Sequence, residues 1–280
     1  MRTDNVIIVA LGLAGVAFAV AATAWWGELA TRRTPPEPTS DAHPRNAAFA
    51  AAGWSLSAVL TAGAVAGIVV GGLVGRLIMR IAAAESEPGV QGQLTDADEV
   101  IGEITFGGTM GFLLFVGLAG GLVAALLFLV ARPWLPATAR ASGALIGLLV
   151  MGLLGPGDPL DPDNVDFALL SNDALIVGLI VGGSLLFGLA FASLAARFDV
   201  LARSRSRSRY WLLPSYVVSL AGPVGVAVIA YLAGRTFLPG RLRPLLDRRP
   251  VQIAGQVVLA LAVLVAVVRL GAVAVDIVRA

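Results

Sequence analysis

Three charged residues stand at the edge of apolar sequence with a spacing that could do chemistry. Arg76 and Arg80 fall four residues apart at the end of a glycine-rich apolar stretch. On a helix that spacing puts both on one face. Glu103 opens the next apolar stretch, across an acidic segment. Two readings fit the arginines. Their stems can lie in apolar surroundings while the guanidinium groups reach water, or they can pair with Glu103. Either arrangement could hold an anionic headgroup or solute. A second candidate is the run Asp158-Pro159-Leu160-Asp161-Pro162-Asp163-Asn164-Val165-Asp166. Calcium takes 6–8 oxygen ligands on a sharply turning loop. The EF-hand spacing is absent and two prolines stiffen the run, so it reads as a solvated acidic loop. His43, the single histidine, lies in a polar linker with no catalytic partner in the sequence.

What the sequence lacks narrows the chemistry further. There is no cysteine, hence no disulfide framework, thiolate metal site or Cys nucleophile. Metalloprotease, phosphate-loop and serine-elbow motifs are missing. No Asp, Glu, Arg or His lies near the centre of an apolar stretch, where proton-coupled transport and voltage sensing need one. The expectation is no catalytic residue, no cofactor and no metal ligand. All 20 basic residues are arginine and the net charge is only +2. No basic stripe interleaves with stacking aromatics, so nucleic acid is not an expected partner.

These residues must be positioned by elements that suit a lipid solvent. The chain of 280 residues is 58% hydrophobic and 14% charged, against about 25% charged in soluble domains. A hydrocarbon core about 30 Å thick takes roughly 20 apolar residues as a helix. Seven stretches meet or approach that length: 6–26, 55–81, 105–131, 138–154, 174–196, 211–233 and 251–275. Trp25, Trp26, Trp54, Trp134, Tyr210, Trp211 and Tyr231 sit at their ends, as an interfacial belt requires. The predicted fold class is an all-α polytopic bundle of about seven spans, one membrane domain over residues 1–280, with a polar proline-containing linker at 27–54. The first stretch reads as a retained helix: Arg2 is balanced by Asp4, and the apolar run is longer than a signal peptide's.

Loop charge sets an orientation. The segments after spans two and four carry acids and no arginine, while Arg197, Arg203, Arg205, Arg207 and Arg209 follow span five. The positive-inside rule puts that arginine loop in the cytoplasm and the acidic loops outside. With seven spans this gives an outer N-terminus and an inner C-terminus, and one conflict. Arg235, Arg241, Arg243, Arg248 and Arg249 then lie outside. The Gly222-Pro223 pair could break span six into a re-entrant hairpin. A crossing helix is the preferred reading, because 23 apolar residues match the membrane.

Two further patterns bear on function. Gly67 to Gly72 resembles Gly178 to Gly183, and Leu118-Ala119-Gly120 resembles Leu220-Ala221-Gly222. Pairing spans two to four with five to seven gives a 1+3+3 inverted repeat, an architecture of transporters. Gly63, Gly67, Gly71 and Gly75 form a slowly turning groove on span two. Such grooves let another backbone approach closely. The same spacing recurs at Gly107/Gly111, Gly117/Gly121, Gly143/Gly147 and Gly178/Gly182. Tight helix packing is the first reading, and a sliding surface the second.

Three blocks carry a resemblance: Gly71 to Arg80, Thr105 to Thr109, and Val165 to Leu170. Over spans two to five the chain resembles polytopic membrane proteins of actinobacterial type with no assigned activity. That likeness, with the arginine-only basic set of a GC-rich genome, implies a multi-pass protein of a bacterial plasma membrane. The expected function is a carrier or channel-like protein for a small neutral or weakly polar solute. The alternative is a non-catalytic assembly subunit that packs through Gly-xxx-Gly faces. Expected partners are the lipid bilayer and either a second copy or another membrane protein.

Overall fold

The structure, a computed structural model, describes residues 3–31, 44–85, 92, 105–157, 159–161, 172–204, 246 and 248–279. Every named element among them is helical. In chain order these are α1 (Thr3–Trp26), α2 (Pro44–Ala66), a π-helical stretch π1 (Gly67–Val74), α3 (Gly75–Glu85), α4 (Phe106–Phe112), a second stretch π2 (Leu113–Ala119), α5 (Gly120–Ala131), α6 (Ala139–Leu154), a 3₁₀ turn (Gly155–Gly157), α7 (Asp173–Ser204) and α8 (Arg249–Arg279). The backbone at Ala66, Gly75, Phe112 and Gly120 keeps right-handed helical angles. So α2–π1–α3 is one rod, and α4–π2–α5 is another.

Local chemistry starts these helices where the sequence allows it. Thr105 and Thr138 hold extended backbone at the heads of α4 and α6. The Thr105 hydroxyl accepts from the Gly108 N–H at 3.0 Å, and the Thr138 hydroxyl from the Ala141 N–H at 3.4 Å. The Asn172 side chain accepts from the Leu175 N–H at 3.2 Å and opens α7. Each cap satisfies one of the four donors that a helix start leaves unpaired. In hydrocarbon such a donor has no water to turn to.

Five of the helical segments are long and apolar enough to cross a membrane: Val6–Trp26, Ala52–Glu85, Phe106–Ala131, Asp173–Leu201 and Arg249–Arg279. Ala139–Leu154 is a shorter apolar helix. Among its described residues the chain is all-helical, and its several long apolar helices make it a multi-pass membrane protein. The predicted sixth span, 211–233, with Gly222 and Pro223, lies outside the described residues, as do residues 32–43 of the 27–54 linker; its last part, 44–54, is helical and belongs to α2, whose apolar run of Ala and Phe continues the helix back to Pro44.

Contacts fix the direction of each helix. Call the two ends of the bundle the Trp26 end and the Glu85 end. Arg132 at the foot of α5 meets Ser55 near the start of the second rod and Asp199 near the end of α7, all at the Trp26 end. Gly75 meets the Phe112 ring near the other end. The last helix, α8, begins with Gly255 against Trp134 and continues with Ala266 against Gly152. Its Leu270 shares a cluster with Met151, Leu160 and Val177 at the Glu85 end. Thus α8 runs parallel to α6. An inverted 3+3 repeat requires these two spans, four and seven of the sequence reading, to run oppositely, so the described helices do not form that repeat. Nor do they carry an outer N-terminus with an inner C-terminus, since Thr3 and Arg279 lie at the same end.

A common membrane level follows. Counting about 20 residues from Trp26, Ser55, Arg132 and Arg197 reaches Val6, Gly75, Phe112 and Val177. On α8 the matching stretch runs from Pro250 to Leu270. Gly75 touches Phe112, and Val177 clusters with Leu270, so these limits are level with one another. Arg76 and Arg269 both fall at this boundary rather than at mid-membrane. The core between the levels is built from Leu56, Leu60, Ala124, Phe128, Ile146, Ala190 and Phe191, all buried. Phe191 stacks against Phe187 and meets Phe128 edge to face at 5.4 Å.

Candidate functional site

The arginine pair singled out from the sequence is at the Glu85 boundary. The Arg76 guanidinium lies over the Phe112 ring, 5.2 Å from its centroid, and its Nη1 donates to the Met79 sulfur at 3.8 Å. A cation over an aromatic face is attracted by the ring quadrupole, more strongly where water is thinned. Arg80 is half-buried one turn further out. Glu103 lies outside the described residues, so its pairing with either arginine stays an expectation. The same holds for His43 and for most of the acidic run from Asp158 to Asp166, of which Pro159, Leu160 and Asp161 are described.

The glycine groove of the second rod divides in its use. A side chain at Gly63 would strike the Gly121 carbonyl, and one at Gly67 the Gly117 carbonyl. From the facing rod, a side chain at Gly117 would come within 2.8 Å of the Gly67 carbonyl, and one at Gly121 would strike that of Gly63. The two rods therefore cross backbone on backbone at four glycines. A side chain at Gly75 would come within 2.7 Å of the Phe112 ring, whereas one at Gly71 would have ordinary room, 3.6 Å from the Gly117 Cα. The crossing coincides with both π stretches. Glycines at 67, 71 and 72 remove side chains that would resist a wider turn, and π turns inside helices gather at functional places.

A second crossing of the same kind joins α6 to α7. Gly143 and Gly188 approach each other's carbonyls, and Gly147 packs on Ser184 and Leu185. The Ser184 hydroxyl donates to the Gly147 carbonyl at 2.9 Å. Sequence spacing had marked Gly143 and Gly147 but not their partners, Ser184 and Gly188. Gly107, Gly111, Gly178 and Gly182, marked by the same spacing, meet nothing within reach of an added side-chain carbon among the described residues. Spacing selects small residues, and only the helix direction decides whether they meet anything.

Among the described residues a polar cluster also forms that was not singled out from the sequence. At the Trp26 end, Arg132 Nε donates to the Thr31 carbonyl at 2.9 Å, Nη1 donates to the Ser55 hydroxyl, and Nη2 lies 3.5 Å from Asp199 Oδ2. Asp199 is buried. The Thr31 hydroxyl donates to the Pro136 carbonyl at 2.9 Å, and the Ser142 hydroxyl donates to the same oxygen at 2.9 Å. Residues 27–31 and 136–140 pair through Thr31 N–H to Ala137 O, Ala139 N–H to Leu29 O and Arg140 N–H to Gly27 O. One arginine thus ties α1, the second rod, α5 and α7 together. Around it, Arg140 pairs with Glu28 at 2.7 Å on the surface, and Arg197 lies over the Trp26 ring at 5.8 Å. A signal was present: Asp199 is the sole acid between Asp173 and Asp247, set among arginines.

This cluster holds helix ends. It pairs a charge with hydroxyls and carbonyls and sets no base against a nucleophile. Among the described residues no group of three or more His, Asp or Glu is placed to hold a metal ion. No protein-family model, curated protein or solved structure matches the chain.

Proposed function

We propose that the chain is a non-catalytic structural subunit of a membrane assembly. The observation that carries this reading is the way its small residues are used. Two backbone-on-backbone crossings, Gly63/Gly67 on Gly117/Gly121 and Gly143/Gly147 on Ser184/Gly188, fill the contacts between neighbouring rods. A bundle joined that closely favours one arrangement over sliding. The parallel run of α6 and α8 removes the symmetry argument for alternating access. Meanwhile α8 packs on α6 and α7 through Ala266, Leu270 and Ile277, and leaves Val257, Leu261, Leu264 and Val268 exposed. Cross-linking from this face tests the reading. Single cysteines at Leu261, Leu264 and Val268, treated with a short bismaleimide in native membranes, should give discrete heavier adducts at some positions and none at others. Monomer alone at every position would overturn it.

The facing π stretches favour a second reading, a carrier or channel-like protein for a small neutral or weakly polar solute. Widened turns on both rods at one level are where a helix pair could change register. Osmotic swelling of proteoliposomes with a graded series of polyols tests it: swelling no faster than in empty vesicles removes this reading.

A further inference from the structure

Two chain ends that the sequence reading put on opposite sides stand together. The segment after Ser204 leaves α7 five residues beyond Asp199, at the Trp26 end. The segment before Arg249 enters α8 six residues ahead of Gly255, which sits on Trp134 at that same end. The described helices therefore cross the bundle six times, with Thr3 and Arg279 both at the Glu85 end. Charge then sorts itself. Among the described residues the Trp26 end holds seven arginines (45, 132, 140, 197, 203, 248 and 249) against two acids, Glu28 and Asp199. The Glu85 end holds four described arginines (76, 80, 269 and 279) against five acids (Asp4, Glu85, Asp161, Asp173 and Asp276). Arg248 and Arg249, which an odd number of crossings would put on the outer side, stand at the arginine-rich end.

At the Trp26 end the described surface is built for a headgroup layer. Arg248 and Arg249 are exposed, and half of the Arg140 side chain is. Trp25, at the same end, is 75% exposed and packs edge to face on Trp26. Of the two acids described there, Asp199 is taken up by Arg132 and Glu28 by Arg140. Arginine is weakly hydrated and forks onto phosphate oxygens in pairs. We propose that this end of the bundle is one basic surface seated on anionic phospholipid headgroups of the cytoplasmic leaflet, with residues 3 and 279 both on the outer side.

The full chain lacks cysteine, so Thr3→Cys, Ser204→Cys, Arg248→Cys and Arg279→Cys each report alone to an impermeant maleimide on intact cells. Positions 3 and 279 should label at once, and 204 and 248 only after the membrane is opened. Labelling of 3 and 279 on opposite sides, or of 204 and 248 from outside, overturns the proposal. The lipid arm uses nanodiscs of mixed phosphatidylglycerol and phosphatidylcholine, read by mass spectrometry of the lipid retained on the protein. Phosphatidylglycerol should be enriched, and Arg140→Gln, Arg248→Gln and Arg249→Gln should each reduce that enrichment by up to about fivefold. Equal retention of the two lipids overturns the headgroup assignment. So does enrichment abolished by millimolar inorganic phosphate, which would assign the surface to a free anion.

Discussion

Gly121→Ala adds one methyl group where the two rods cross. The new carbon would strike the Gly63 carbonyl oxygen and come within 2.8 Å of its carbon and 3.1 Å of the Gly67 Cα. Both neighbours are backbone, so neither can rotate away. Ordinary contact begins near 3.4 Å and the carbonyl oxygen is the nearest atom of all, so the rods must part by about an ångström. A gap of about 0.5–1 Å forfeits a quarter to a half of each dispersion contact it opens. Overpacking of this kind costs about 1–3 kcal/mol. Alanine returns about 0.5–1 kcal/mol through its better helix propensity. The net expectation is a loss of about 1–2 kcal/mol. Gly178→Ala is the matched control: nothing lies within 4 Å of the added carbon, so only the propensity term remains and the sign reverses, to a gain of about 0.5–1 kcal/mol. Reversible unfolding in mixed micelles of rising SDS fraction reads both. Equal midpoints for the two variants would refute the claim that the rods meet at these glycines.

Removing one partner of the Arg132–Asp199 pair leaves a charge with less support in a partly closed place. Asp199→Ala should cost about 3 kcal/mol, the low end for a buried pair because Arg132 keeps Thr31 and Ser55. The joint change Arg132→Met with Asp199→Leu should cost less than Asp199→Ala alone in the same micelle titration. A double-mutant cycle on Arg76→Met and Phe112→Leu should give a coupling of about 0.5–2 kcal/mol, and a coupling of zero would remove the ring contact. Gly255→Val displaces the Trp134 indole from its seat, so α8 should become the first helix cut by limited proteolysis of the detergent-solubilised protein.

Most of the helices were legible because hydrophobic length is a strong signal in lipid. The boundaries read at 105, 131, 138 and 154 match the caps and ends found at Thr105, Ala131, Thr138 and Leu154. Two threonines and an abrupt change in hydropathy were enough. The direction of α8 was not legible, since a string of Val, Leu and Ala reads the same either way. The clue was the loop charge: Arg248 and Arg249 open α8 as Arg197 and Arg203 close α7. Packing partners were legible only by half. Gly63, Gly67, Gly143 and Gly147 announce themselves through spacing, but a glycine meets its partner only if the neighbouring helix runs alongside at that level. Asp199 was missed because its role depends on Arg132, 67 residues earlier, and no local pattern links the two. The site candidates at Glu103, Gly222 and Pro223 rest on the sequence alone.

That same distance sets an order of assembly. Thr31, Ser55 and Arg132 all leave the ribosome before Asp199, and the first three can gather as soon as the second rod and α5 have crossed. At about 5–20 residues per second, the 67 intervening residues take roughly 3–13 s to make. Through that interval the arginine side chain holds two of its partners and waits for the third. The arrival of α7 therefore does more than add a helix: it neutralises a charge already installed at the membrane edge. A chain ending before residue 199 would hold that charge on the Thr31 carbonyl and the Ser55 hydroxyl alone, without its carboxylate.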